Sequence, residues 1–150
     1  MKGLTVRIEG EPVAQGRPRF SRFSRGRPLA VPRAFDPTAS REWKRAARIR
    51  FVLAIQESGA ERPFAREGPV EVRVLAVFPC PVADHRKTIP AQRRPHAKRP
   101  DGENVAKAVL DAGTGVLWTD DSQVSDLHVH KRIGAQGEAP YVEVTVEPLA

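Results

Sequence analysis

Six ionisable side chains in the last third of the chain stand where they could do chemistry together. Asp101, Glu103, Lys107 and Asp111 occupy one segment, and Asp120 and Asp121 the next. Asp101 and Glu103 fall where a loop should turn into a helix, so both can face outward from its start. Glu103, Lys107 and Asp111 follow at four-residue spacing and share one helix face. A hard divalent cation such as Mg2+ takes oxygen ligands, usually a few carboxylates with water and substrate phosphate. One or two such ions can activate a water and stabilise the leaving oxygen when a phosphodiester is cut. Carboxylates converging beside a lysine would serve that hydrolysis, with the ammonium neutralising charge at the phosphate or orienting the water. Each residue also has a simpler use. Asp101 can cap a helix, Glu103 can pair with Lys107 and gain from the helix dipole, and Asp120-Asp121 can be a solvated turn.

The other reactive residue types offer less. His85, His96, His128 and His130 lack zinc spacing and read as surface histidines, the last two on the exposed face of one strand. Cys80, the single cysteine, excludes an internal disulfide or a cysteine zinc site, and between two prolines it has no activating neighbour. Trp118 reads as core. The net charge of +7 and pI near 10.3 point to a polyanionic partner. Arginine-favouring codons are the plainer explanation, since 19 of the 25 basic residues are arginine. The distribution argues against it: residues 1–100 hold 22 basic and 9 acidic side chains, and residues 101–150 hold 3 and 9. A basic body beside an acidic knot is what a nuclease needs, cations for phosphate and carboxylates for metal.

The elements that must position these groups follow from periodicity. Leu4, Val6 and Ile8 alternate as a short strand, and Val70 to Phe78 alternate as the strongest one. Prolines and glycines over 11–34 predict a surface loop rather than a regular element. Asp36-Pro37 predicts a helix start, with Asp36 as cap and Pro37 in the first turn. Trp43, Ala46, Ala47, Phe51, Ala54 and Ile55 then mark an apolar helix face ending near Ser58-Gly59. A basic, flexible loop should span about 79–100. A second helix is expected from about Gly102 to Ala112, with strands near 116–119, 124–133 and 141–147, the last two joined as a hairpin across 134–137. The expected architecture is α/β (mixed α+β): one compact domain over 1–150, a mixed sheet and two main helices. No apolar run approaches the roughly 20 residues of a membrane span, and charges interrupt the N-terminus where a signal peptide needs an apolar stretch. A soluble, cytoplasmic domain is expected.

Two linked segments carry a resemblance. Arg99-Pro100-Asp101-Gly102-Glu103-Asn104 leads to Lys107, and Gly115-Val116-Leu117-Trp118-Thr119-Asp120-Asp121-Ser122-Gln123-Val124 follows. They resemble the family patterns Pro-Asp-x-Asp-Asn-x-x-Lys and Gly-x-x-Trp-x-Asp-Asp-x-Gln-Val of the RusA Holliday junction resolvases of bacteria and phages. Gly16-Arg17-Pro18-Arg19-Phe20 is similar to an N-terminal segment of many members, and the basic loop with His96 also looks like theirs. The resemblance implies a homodimer of mixed α/β subunits that binds four-way DNA junctions and nicks two strands of like polarity with Mg2+ or Mn2+, in recombination and repair. By position, Asp101, Glu103 and Asp121 match the metal-binding carboxylates and Lys107 the essential lysine, with Asp120 a further metal candidate. No organic cofactor is implied. Arg17, Arg19, Arg22, Arg86, Lys87, Arg93, Arg94, Lys98 and Arg99 of the two loops would track DNA phosphates. Two departures stand out. Position 103 is Glu where the family has Asp, which extends that carboxylate by one methylene. Gly113-Thr114 replaces the usual Leu-Asn, which should loosen the helix end. Two other readings remain: a non-catalytic nucleic-acid-binding module, and a family nuclease acting on other branched DNA.

Overall fold

A computed structural model describes residues 2–17, 19–35 and 37–150, with backbone alone at 19, 24 and 32–35. Its elements are β1 (Leu4–Glu9), β2 (Arg19–Ser24), β3 (Arg27–Phe35), α1 (Thr38–Ser58), β4 (Val70–Phe78), β5 (Arg94–Pro95), α2 (Gly102–Gly113), β6 (Val124–Ile133) and β7 (Tyr141–Pro148). Single 3-10 turns stand at Val82–Asp84 and Asp121–Gln123.

Five strands form one mixed sheet in the order β1-β7-β4-β6-β5. Its apolar face is built in register: Leu4, Val6 and Ile8 oppose Val146, Val144 and Val142, which in turn oppose Val72, Val74 and Ala76. Both helices cover this face. α1 contributes Trp43, Ala47, Phe51 and Ile55, and α2 contributes Val105, Ala108, Val109 and Ala112, all within one buried cluster. Each fully buried Val, Leu or Phe adds roughly 1.5–3 kcal/mol relative to exposure. The opposite face carries polar cross-strand pairs, including Arg7–Glu143 and Arg73–Glu147, with Arg73 also paired to Glu71 of its own strand. No helix among the described residues is long and apolar enough to cross a membrane.

Helix ends follow local chemistry. Gly59 takes φ 74 and closes α1 in the left-handed conformation that glycine adopts without steric penalty. Pro37 stands at the cap position with φ −55 and ψ 145, one residue before the expected place in the first turn, and Asp36 lies outside the described residues. Ala46, expected on the buried face, is exposed.

Three expectations are corrected. The segment over 11–34 is not a loop throughout, because β2 and β3 pair as an antiparallel ribbon. Arg25 (φ 51) and Gly26 (φ 77) form its turn, and two left-handed residues give the twist that a tight hairpin needs. Residues 116–119 form a turn rather than a strand. The Val116 and Leu117 amides both donate to the Gly113 carbonyl, and Trp118 makes only isolated bridges to Ala65 and Thr114. Third, β6 and β7 do not form a hairpin. β4 lies between them, parallel to β6 and antiparallel to β7. A parallel pair needs a long crossover, and the chain from Phe78 to Val124 supplies it through α2. The connection after β6 then steps across the end of β4, where the Gly134 amide donates to the Phe78 carbonyl at 2.8 Å. The basic loop over 79–100 is anchored as well: β5 pairs with the end of β6, and the Gln136 side chain bonds the backbone of Arg86 and Ala91.

Candidate active site

Parallel pairing with β4 puts Leu127, Val129, Lys131 and Ile133 of β6 opposite Val72, Val74, Ala76 and Phe78, on the side of the sheet that carries the helices. α2 only partly covers β6, and Leu127 remains 41% exposed. The result is a groove of about 700 Å3 between α2 and β6, with Leu127 and Val129 on the strand side and Glu103, Ala106, Lys107, Leu110 and Asp111 on the helix side. Asp121 completes the lining. One amphipathic helix and one acidic turn thus bring four of the six side chains of the acidic segment, Glu103, Lys107, Asp111 and Asp121, to the same groove.

Asp121 is held from behind. Its Oδ1 accepts from Trp118 Nε1 at 3.0 Å and from the Thr114 hydroxyl, while Oδ2 makes no hydrogen bond among the described residues. The Trp118 side chain is fully buried, so the indole is a rigid donor on which the carboxylate is oriented. Gly113 makes this packing feasible, since a Cβ there would stand 2.7 and 2.8 Å from Trp118 Cζ2 and Cη2. Gly113-Thr114, expected to loosen the helix end, instead forms the bracket for Trp118 and Asp121.

Asp101 occupies the cap position of α2, yet its side chain makes no capping hydrogen bond; its backbone carbonyl accepts from the Asn104 and Val105 amides. Its carboxylate is therefore not spent on the helix end. It lines a neighbouring cavity of about 690 Å3 with Gln15, Gly16, Arg17, Arg99 and Asn104, rather than the Glu103 groove. Asp101 still has extended backbone (φ −66, ψ 144), so its side chain leaves the chain before the helical progression that places Glu103 begins. Asp101 and Glu103 do both face outward, but not into one cavity.

The remaining candidates divide. Asp120 caps the following turn: its carboxylate accepts from the Ser122 amide at 2.9 Å, and that bonding with Ser122 holds its pKa below the usual carboxylate range. Its own amide donates to Gln123 Oε1. Asp111 pairs with Lys44 of α1 at 3.6 Å, and no ion pair joins Glu103 to Lys107 among the described residues. Arg93 is engaged by Glu138 and by the Tyr141 hydroxyl at 3.0 Å, which raises the arginine pKa and lowers that of Glu138. Arg94 pairs with Asp84. Arg17, Arg22, Arg86, Lys87, Lys98 and Arg99 are exposed, and the side chain of Arg19 lies outside the described residues.

Lys131 was not among the sequence candidates. Its ammonium donates to the carbonyls of Lys98 at 2.8 Å and Pro100 at 2.6 Å, clamping the segment that delivers Asp101. The signal for it was a lone charge within the alternation Leu127, Val129, Ile133. Beside it, burial and the Lys131 charge lower the pKa of His96, whose ring meets Phe78 edge-on at 4.7 Å.

The donor set, carboxylate oxygens only, fits a hard divalent cation. No three His, Cys, Asp or Glu side chains among the described residues gather around one point. Mg2+ is commonly held by one or two carboxylates plus water and substrate phosphate rather than by an all-protein cage. Glu103 and Asp121 in the groove, with Asp101 at the helix start, are the residues that could serve.

Residues 9–147 match the family described as Endodeoxyribonuclease RusA. The chain belongs to the RusA endodeoxyribonuclease family. The match takes in the ribbon, both helices and the whole acidic segment, so the RusA resemblance of two short motifs extends over nearly the full chain. A relative from Bacillus subtilis (strain 168), named uncharacterized protein YqaN, is 34% identical over 156 aligned positions, which span all of this chain and 99% of the relative.

Proposed function

We propose that this RusA-family chain is a divalent-metal-dependent, structure-selective endonuclease that acts as a homodimer on branched DNA, foremost the four-way junction of recombination and repair. The observation that carries the reading is the α2–β6 groove, where Glu103 and Lys107 of α2, the helix capped by Asp101, stand together with Asp121 of the acidic turn that follows it. Glu103 and Asp121 would hold Mg2+ or Mn2+ in the groove, with Asp101 turning toward the ion from its neighbouring cavity, and the bound ion would supply Lewis acidity to the phosphate and acidity to a water. Lys107 would bind the non-bridging oxygens of the scissile phosphate and offset the charge that grows there. Arg17 and Arg99, which share the Asp101 cavity, would take neighbouring phosphates and set the strand's path. Lys131 keeps Asp101 in place through two backbone carbonyls. A twofold dimer would present two equivalent sites to two symmetric strands.

The test is cleavage of a labelled four-way junction against a linear duplex, with Mg2+, Mn2+ or chelator. Paired, symmetric, metal-dependent nicks in the junction alone are expected. Asp101→Asn should abolish cutting while junction binding stays intact or tightens; cleavage by this variant would remove Asp101 from the site. Tight binding without cutting under either metal would replace the proposal with a non-catalytic nucleic-acid-binding module. Preferential cutting of flaps or forks would keep the chemistry and change the substrate.

A further inference from the structure

The β2–β3 ribbon is unlike the rest of the molecule. Among the described residues it pairs with no strand of the main sheet, so neither outer edge is hydrogen-bonded to a third strand. Phe20 is 70% exposed and Phe23 61%, whereas Phe51, Phe64 and Phe78 are buried. Residues 12–35 contain six arginines and no acidic residue. Of these, Arg22 stands between Ser21 and Phe23, Arg25 lies in the turn and Arg27 follows it, all three exposed. The Ser21 hydroxyl bonds both the amide (3.2 Å) and the carbonyl (2.7 Å) of Phe23, which holds the backbone of that residue in one conformation. At the base of the ribbon Arg17 shares its cavity with Asp101 and Arg99.

Exposed phenylalanine has no favourable partner in water, and surrounding arginine disfavours burial against a second, equally basic ribbon. A nucleic acid satisfies both features when its bases are unstacked: the rings stack on base faces while arginines hold the phosphates on either side. A continuous duplex hides those faces within its stack and meets only the arginines. We propose that the ribbon is a reading arm on which Phe20 and Phe23 stack against bases left unstacked at a DNA branch point. The inference rests on the branched-DNA function proposed above and adds to it a source of structural selectivity distinct from the carboxylates. Because the arm leaves the body beside Asp101, it would also set the distance between branch point and cut. Six strand residues reach roughly 20 Å.

The experiment compares affinities of the full chain for a four-way junction and a linear duplex in chelator, where no cleavage occurs. Phe20→Ala/Phe23→Ala should weaken junction binding by about tenfold or more while duplex binding changes by less than about twofold. The Phe20→Tyr/Phe23→Tyr pair should restore the junction preference, and thermal unfolding of both variants should match the parent. In a Phe23→Trp chain, indole emission should be quenched by the junction and not by the duplex. An alanine pair that keeps the junction preference, or that loses junction and duplex affinity equally, overturns the arm. So does an alanine pair that dissociates a dimer in sedimentation, which would assign the phenylalanines to contact between copies. If the parent chain itself does not prefer the junction, the proposed function fails first and the arm with it.

Discussion

At the scale of single residues, the acidic positions have separate physical situations although the sequence presents them as one cluster. Asp120 is committed to its turn, Asp111 to Lys44, and Asp101 and Glu103 remain unengaged by their own helix. Asp121 has two duties, one oxygen for Trp118 and Thr114 and the other turned to remaining partners. The duties can be separated. Asp121→Asn keeps an acceptor for the indole and should leave stability within about 0.5 kcal/mol, typical of a substitution that breaks no structural feature, while cleavage is lost. Asp121→Ala removes the acceptor and should lower unfolding free energy by about 1 kcal/mol, since Thr114 still offers the indole a longer contact. Urea unfolding of the two variants decides it; equal stabilities would mean that the indole bond is not structural. The residue types and their spacing were legible from the sequence. Which carboxylate was already occupied was not, because Ser122, Lys44 and Trp118 reach them through turns and helix packing.

At the scale of elements, the end of α2 shows two effects in opposition. Gly113→Ala should stabilise a helix by up to about 1 kcal/mol from propensity alone. The added Cβ would, however, meet a fully buried indole at 2.7 Å. Overpacking of a rigid core group typically costs about 1–3 kcal/mol. Sterics should win, with a net loss of about 1 kcal/mol or more in thermal or urea unfolding; a stabilised variant would show that the indole can shift. The same scale explains the misjudged ribbon. Prolines and glycines forbid a strand inside a sheet, but β2–β3 has no third strand, so Pro28 removes no ladder bond that the fold requires.

For the whole molecule, charge segregation is the dominant feature: net +13 over residues 1–100 and −6 over 101–150. Arg93 and Arg94 are held by Glu138 and Asp84, so of the loop cations proposed to track DNA, those of the ribbon, of the Lys98-Arg99 segment and at Arg86 and Lys87 are exposed without an ion pair among the described residues. With about four phosphate contacts, DNA affinity should fall on the order of a hundredfold between 50 and 200 mM salt. An affinity nearly independent of salt, measured by anisotropy titration, would exclude phosphate contacts as its main source.

The helices, the alternating strands, the charge division and the two linked motifs could all be read from the chain, because periods of 3.6 and 2 and nearest-neighbour chemistry are local properties. The strand order could not. Residues 134–137 look like a hairpin connection, but the nearly all-buried β4 takes the centre of the sheet and separates β6 from β7. That non-local pairing turns Leu127, Val129 and Lys131 toward α2. The groove, the clamp on the Asp101 segment and the meeting of Glu103 with Asp121 therefore exist only in the folded chain.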